Sequence, residues 1–156
     1  NEAEQQDNLI DLWDLVPKSL RRLPELICAY ADALQKVNGA SRLQPIIAKA
    51  LNASWHADLV ERFGQLQSDS PQRQLALAEK WLPDHVDDPD LLLALGRICR
   101  RAELPGKARD YLTAATSINP CPETYLELAE LLDSMNDQSS AEMYRHGLLI
   151  GLQLER

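Results

Sequence analysis

From Pro89 to Pro120 the chain reads PDLLLALGRICRRAELPGKARDYLTAATSINP, and this stretch decides the fold. Leu92, Leu95 and Cys99 stand three or four residues apart, which puts them on one face of a helix. Ala108, Leu112 and Ala115 form a second stripe of the same kind. Pro105-Gly106 interrupts the chain between the two stripes, and Pro120 cannot continue the second. Small residues at Gly96 and Ala108 are what a helical hairpin needs where its helices cross, because a larger side chain would push them apart. The stretch reads as helix–turn–helix.

The small residues recur. Ala31, Gly64, Gly96 and Ala129 follow one another at intervals of 33, 32 and 33, and so do Leu43, Ala76, Ala108 and Ala141. Two columns in one phase, near the period of about 34 residues, make the tetratricopeptide pattern. Leu43 alone is neither Gly nor Ala. The expected fold is therefore all-α: a tetratricopeptide-repeat superhelix, an α-solenoid of helix–turn–helix units. A polar tail and leading helix occupy 1–23, and about four repeats fill 24–156, near 24–54, 55–88, 89–121 and 122–153. Helices are predicted near 8–16, 24–37, 41–52, 55–67, 71–82, 90–103, 107–118, 122–135 and 138–153.

Composition agrees. Among 156 residues there are 28 Leu and 18 Ala but only 14 Val, Ile and Thr together, so a large sheet is excluded. Sixteen Lys and Arg against 24 Asp and Glu give a charge of −8, which speaks against nucleic acid as the partner. Cys28, Cys99 and Cys121 are odd in number and far apart, a pattern of free thiols in a reducing compartment rather than of a zinc site. No apolar run approaches the roughly 20 residues of a membrane span. The chain opens on Asn, with Asn1 to Asn8 almost wholly polar, and reads as a piece of a longer one.

A closer resemblance follows from Leu77-Ala78-Glu79-Lys80-Trp81-Leu82, Asp87-Asp88-Pro89, Leu91 to Gly96 and Gly106-Lys107-Ala108-Arg109-Asp110-Tyr111-Leu112. Pro122-Glu123, Tyr125, Leu128-Ala129, Leu131-Leu132, Ala141-Glu142, Tyr144-Arg145 and Gly147-Leu148 continue it, with Leu12-Trp13, Pro17, Ala29-Tyr30-Ala31 and Ala33-Leu34 upstream. These runs resemble the carboxy-terminal half of the HemY family, the proteobacterial proteins of the haem-biosynthesis operon. The resemblance implies a protein of the bacterial inner membrane, its anchor outside this stretch and its repeats on the cytoplasmic side. It also implies a role late in haem or porphyrin metabolism. No catalytic motif comes with it.

In such arrays the first helices of successive repeats line a concave groove. Arg97, Arg100 and Arg101 stand at i, i+3 and i+4 on groove positions. One reading makes them a receptor for carboxylates of a partner or for porphyrin propionates, since guanidinium forks match carboxylate geometry. The other makes them a solvated face paired with Asp84, Asp87 or Glu103. Groove positions of the fourth repeat carry Glu123, Glu130 and Asp133, so the groove would be bipolar and would suit a protein of mixed charge.

Cys121-Pro122 has the form of a thiolate ligand to ferric haem, but a turn cysteine between Pro120 and Pro122 is the favoured reading, since a free Cys usually serves as a small apolar filler. Cys28 falls on a groove position and Cys99 in the packing column. His56, His85 and His146 stand alone, so neither a metal nor an acid–base role is assigned. Asp87-Asp88 and Glu127 with Glu130 read as helix starts and solvated faces. Trp55 and Trp81 read as packing between layers, whereas Trp13 on a terminal helix is expected to lie open to a partner. There is no phosphate loop, nucleophile elbow or Ser-His-Asp set.

The expected function is a non-catalytic scaffold in haem synthesis that holds a protein partner, such as a haem-pathway enzyme; self-association through its end layers is left open by the sequence. The scaffold needs no cofactor. The alternative is a carrier of haem or porphyrin as ligand, held by the Arg cluster and Cys121. An enzyme of porphyrin metabolism comes last.

Overall fold

The computed structural model describes residues 1–153, and every regular element among them is helical. Nine α-helices follow in chain order among the described residues: α1 Glu2–Leu15, α2 Pro24–Lys36, α3 Leu43–Ala53, α4 Ala57–Gln65, α5 Pro71–Glu79, α6 Pro89–Arg101, α7 Pro105–Ile118, α8 Pro122–Ser134 and α9 Ser140–Gly151. Short 3-10 turns at Ala40–Arg42 and Leu82–Asp84 precede α3 and α6.

Local chemistry sets the boundaries. Pro24, Pro71, Pro89, Pro105 and Pro122 each open a helix, where a missing N–H costs nothing. Ser70 and Asp88 add side-chain caps to α5 and α6. Helices α2, α6 and α8 end alike. Asn38, Glu103 and Asn136 adopt φ of 57°, 59° and 56°, and the next residue donates its N–H five residues back: Gly39 to Leu34, Leu104 to Cys99, Asp137 to Leu132. That is the left-handed closure of a helix, favoured by Asn and paid for by Glu103.

Several boundaries differ from expectation by two residues or more, among them the end of α5 at Glu79 rather than 82. Helix α1 starts at Glu2 instead of residue 8, because the Asn1 side chain accepts from the Glu4 N–H at 2.9 Å and Glu2 and Glu4 occupy the first turn. Helix α7 starts at Pro105, so the break after α6 is Ala102 to Leu104, not Pro105-Gly106.

The chain forms two compact units, Asn1–Asp69 and Ser70–Arg156, and the boundary falls inside the stretch 55–88. In the first, α1 lies on α2, and α2 packs against both α3 and α4. Its core is Ile27, Leu34, Leu43, Ile47, Leu59 and Phe63, each almost fully buried and worth roughly 1.5–3 kcal/mol. In the second, α6 with α7 and α8 with α9 form two hairpins; α7 joins them to each other and α5 covers α6. Leu91, Leu95, Ile98, Leu112 and Leu131 fill that core.

The first column of small residues sits where expected: Ala31, Gly64, Gly96 and Ala129 are all buried. A Cβ on Gly96 would lie 2.5 Å from Cγ and Cδ2 of Leu112 on α7. The second column is half wrong. Leu43 and Ala108 are fully buried, but Ala76 and Ala141 are exposed. Gln74 and Ala78 take the buried stripe of α5, and Ser140 and Gly147 that of α9. From Gln74 to Ala108 is 34 residues and from Ala108 to Ser140 is 32, so the turns absorb one residue more or less than an even spacing assumes.

Candidate functional site: an arginine and carboxylate face on α6 and α8

The last two turns of α6 carry Arg97, Arg100 and Arg101, and α8 runs beside them with Glu123, Glu127, Glu130 and Asp133. Arg97 Nε lies 3.3 Å from Glu127 Oε2. Arg100 Nη1 lies 2.6 Å from Glu127 Oε1 and 3.3 Å from Glu130 Oε2. The side chains of Arg97, Arg100 and Glu127 are only 15%, 27% and 19% exposed, whereas Glu130 is 58% exposed. Arg97 and Arg100 therefore find carboxylate partners on α8. Glu127 is not on a solvated face: it is the carboxylate that binds both guanidiniums. Arg101 is half-buried, and that burial holds its guanidinium below the usual range, with Glu127 opposing the shift.

The remaining residues fall apart into separate roles. Asp133 accepts from Ser140 Oγ at 2.7 Å and Tyr144 Oη at 3.1 Å, so it ties α8 to α9 instead of joining the Arg cluster. Glu123 is exposed in the first turn of α8, where its charge favours the helix N-terminus. Cys121 is the half-buried residue before α8, its Sγ 3.0 Å from Thr124 Oγ1.

A second ion pair occupies the same register in the first unit. Arg62 of α4 meets Asp32 of α2 through two bonds of 3.0 Å, Nε to Oδ1 and Nη2 to Oδ2. The hydrogen bond to Arg62 holds the Asp32 carboxyl below its ordinary range. Cys28 is half-buried nearby, and burial raises its thiol. Elsewhere in the second unit, Glu79 accepts from Lys107 Nζ at 2.6 Å and Tyr111 Oη at 3.2 Å. Burial and that carboxylate raise the Tyr111 phenol.

His146 Nε2 lies 3.1 Å from Glu142 Oε1, and its ring stacks on Tyr125 at 5.5 Å. Among the described residues no group of three or more His, Cys, Asp and Glu could hold a metal ion, and no helix is long and apolar enough to cross a membrane. Trp13 is not open as expected: it is half-buried and stacked on Tyr30, with centroids 4.4 Å apart and planes within 4°.

No protein-family model and no curated protein matches the chain. Solved structures do. One described as "MamA RS-1 ArsTM double mutant" aligns over 99% of this chain and 88% of its own, with a TM-score of 0.61 and 18% identity. Another, "MamA 41-end from Desulfovibrio magneticus RS-1", aligns over 86% and 79%, with a TM-score of 0.60 and 14% identity. The fold is of the tetratricopeptide type. At such identities the likeness is one of fold alone.

On a tetratricopeptide fold, α6 and α8 are the first helices of successive repeats, so the Arg97–Glu127–Arg100 cluster joins two neighbouring first helices. Its guanidiniums are largely consumed within the protein. What this face leaves to solvent is carboxylate: Glu123, Glu130 and Asp133 are all exposed.

Proposed function

We propose that the chain is a non-catalytic, protein-binding scaffold that presents the exposed carboxylates of α8 to a basic partner. The observation that carries this reading is the division of charge on that face. Arg97 and Arg100 are filled by Glu127, while Glu123 and Glu130 remain exposed. Rim charges of this kind act chiefly on association rate and partner choice, and salt weakens them.

The HemY-like runs extend the reading to a protein of haem or porphyrin biosynthesis at the bacterial inner membrane, with a pathway enzyme as the partner. A tetrapyrrole carrier is less well supported, because propionates would have to displace Glu127 from both Arg97 and Arg100. Leu12 and Leu15 on α1, 59% and 78% exposed, give self-association a surface, checked by sedimentation velocity.

The test is capture of haem-pathway enzymes by the immobilised domain. Glu123→Lys with Glu130→Lys should abolish capture and leave the helical circular dichroism intact. Capture by the unaltered chain should fall steadily between low and high salt. Capture indifferent to both changes overturns the assignment of this face. Haem or coproporphyrin added to the domain should give no Soret shift; a saturable shift lost in Cys121→Ser would restore the carrier.

A further inference from the structure

We propose that the first unit carries a separate recognition cleft for the main chain of an extended polypeptide, read through side-chain amides. The cleft has a volume of about 320 Å³ and is lined chiefly by Gln35, Asn38, Ser41, Gln65, Gln67 and Asp69. It lies where α2 and α4 end, beside the turn Ala40–Arg42. That volume is at the lower end of the range for ligand sites.

The lining is unusual in its chemistry. Four carboxamides, one hydroxyl and one carboxylate surround the space, with neither guanidinium nor ammonium among them. Gln35 Nε2 is shut off from solvent and has no hydrogen-bond partner. A buried donor left in that state is costly, and native structures hold few of them. Other atoms of the same side chain line the cleft, so a turn about its terminal bond would bring this N–H to the open space. There it can donate to an acceptor that a ligand offers in place of water.

The neighbouring amides are poised the other way. Asn38 Nδ2 already donates to Glu2 Oε2 at 2.8 Å, and Gln65 Nε2 to Glu61 Oε1 at 3.5 Å. Their oxygens remain to accept, and so do those of Asp69. A ligand must therefore offer one acceptor toward Gln35 and donors toward the oxygens around it. A peptide unit carries that pair, one C=O and one N–H.

Charge excludes the other simple ligands. The Asp69 carboxylate and the negative ends of two helices turn carboxylates and phosphates away. An ammonium group would satisfy Asp69 but would leave Gln35 without its acceptor. The site shares with the scaffold reading only the assumption of a polypeptide partner, and it stands on different helices.

The test uses the whole ¹⁵N-labelled chain and three probes at millimolar concentration: a blocked diglycine (acetylated and N-methylamidated), sodium acetate and methylammonium chloride. The blocked peptide should shift the side-chain amide signals of Gln35 and Gln67 saturably. Gln35→Met, of similar volume but without the amide, should weaken that binding about tenfold or more. Gln67→Ala, at an exposed position, supplies the same measurement if the first variant does not fold. Glu123→Lys with Glu130→Lys should leave peptide binding unchanged, which separates this site from the α8 face. An absent shift at Gln35, a larger response to acetate or methylammonium, or unaltered binding in both variants overturns the proposal.

Discussion

Arg100 Nη1 lies 2.6 Å from Glu127 Oε1, and the other oxygen of the same carboxylate takes Arg97 Nε at 3.3 Å. Arg97 follows the small residue Gly96 by one position, and Glu127 precedes the small residue Ala129 by two. Asp32 and Arg62 hold those same two positions relative to Ala31 and Gly64, with the charges exchanged. The repeat register therefore provides one contact point between first helices, and each polarity of ion pair fills it.

Removing the bridge should cost more than removing a rim charge. Glu127→Gln keeps the shape but leaves two half-buried guanidiniums without their carboxylate, a loss of about 1–3 kcal/mol. Glu130→Gln, at a side chain 58% exposed, should cost under about 1 kcal/mol. Urea unfolding of the two variants, compared at equal slope, checks the ranking. Equal midpoints would count against the bridge.

The crossing of first helices was legible in the sequence because Ala31, Gly64, Gly96 and Ala129 hold one phase and are buried together. The second helices were less so. Ala76 and Ala141 keep the spacing but face outward, because turn lengths put the buried positions two residues earlier at Gln74 and one earlier at Ser140, and each residue turns a helix by about 100°. Glu127 was missed because its partners lie 27 and 30 residues away, beyond the i+4 reach of a local charge reading. The repeat register could have found it, since position and counter-position recur at Asp32 and Arg62. Gln35 gave no signal: an amide near a helix end is ordinary until the cleft around it is seen.

Two glycines should respond with opposite sign. In Gly96→Ala the new Cβ meets Cγ and Cδ2 of the fully buried Leu112 at 2.5 Å. Overpacking costs about 1–3 kcal/mol and outweighs the gain in helix propensity of at most about 1 kcal/mol. In Gly106→Ala nothing lies within 4 Å of the new Cβ, so only the gain remains. Thermal unfolding should place Gly96→Ala below the unaltered protein and Gly106→Ala above it.

Burial pushes the Cys99 thiol up from an ordinary 9.0 to about 11. The neutral thiol is thus favoured in the folded state. Its contribution is complete below pH 9 and is lost as the pH rises from 9 toward 11. Cys99 is fully buried, whereas Cys28 and Cys121 are half-buried. Iodoacetamide at pH 8 should label Cys28 and Cys121 well before Cys99, and Cys99 should react only at the rate of global unfolding. Prompt labelling of all three would show that the α6–α7 hairpin opens locally.

Helix α1 contains no fully buried residue, so its attachment depends on a few contacts. Arg21 donates to the carbonyls of Val16 and Asp14 at 2.7 Å each, which closes the end of α1 on its own turn and not on α2. The Asn38 bond to Glu2 is exposed. With Leu9 and Ile10 also half-buried, the Trp13 ring stacked on Tyr30 adds about 0.5–1.5 kcal/mol beyond its buried area. Trp13→Ala should therefore release α1 while α2 to α4 stay folded, because Ile27, Leu34 and Phe63 are buried without it. In hydrogen exchange the amides of Glu2–Leu15 should lose at least about tenfold protection, and those of Leu34 and Phe63 should keep theirs. Trp13→Phe, which keeps an aromatic face on Tyr30, should fall between the two. A loss spread evenly over Asn1–Asp69 would instead make α1 part of that unit's cooperative core.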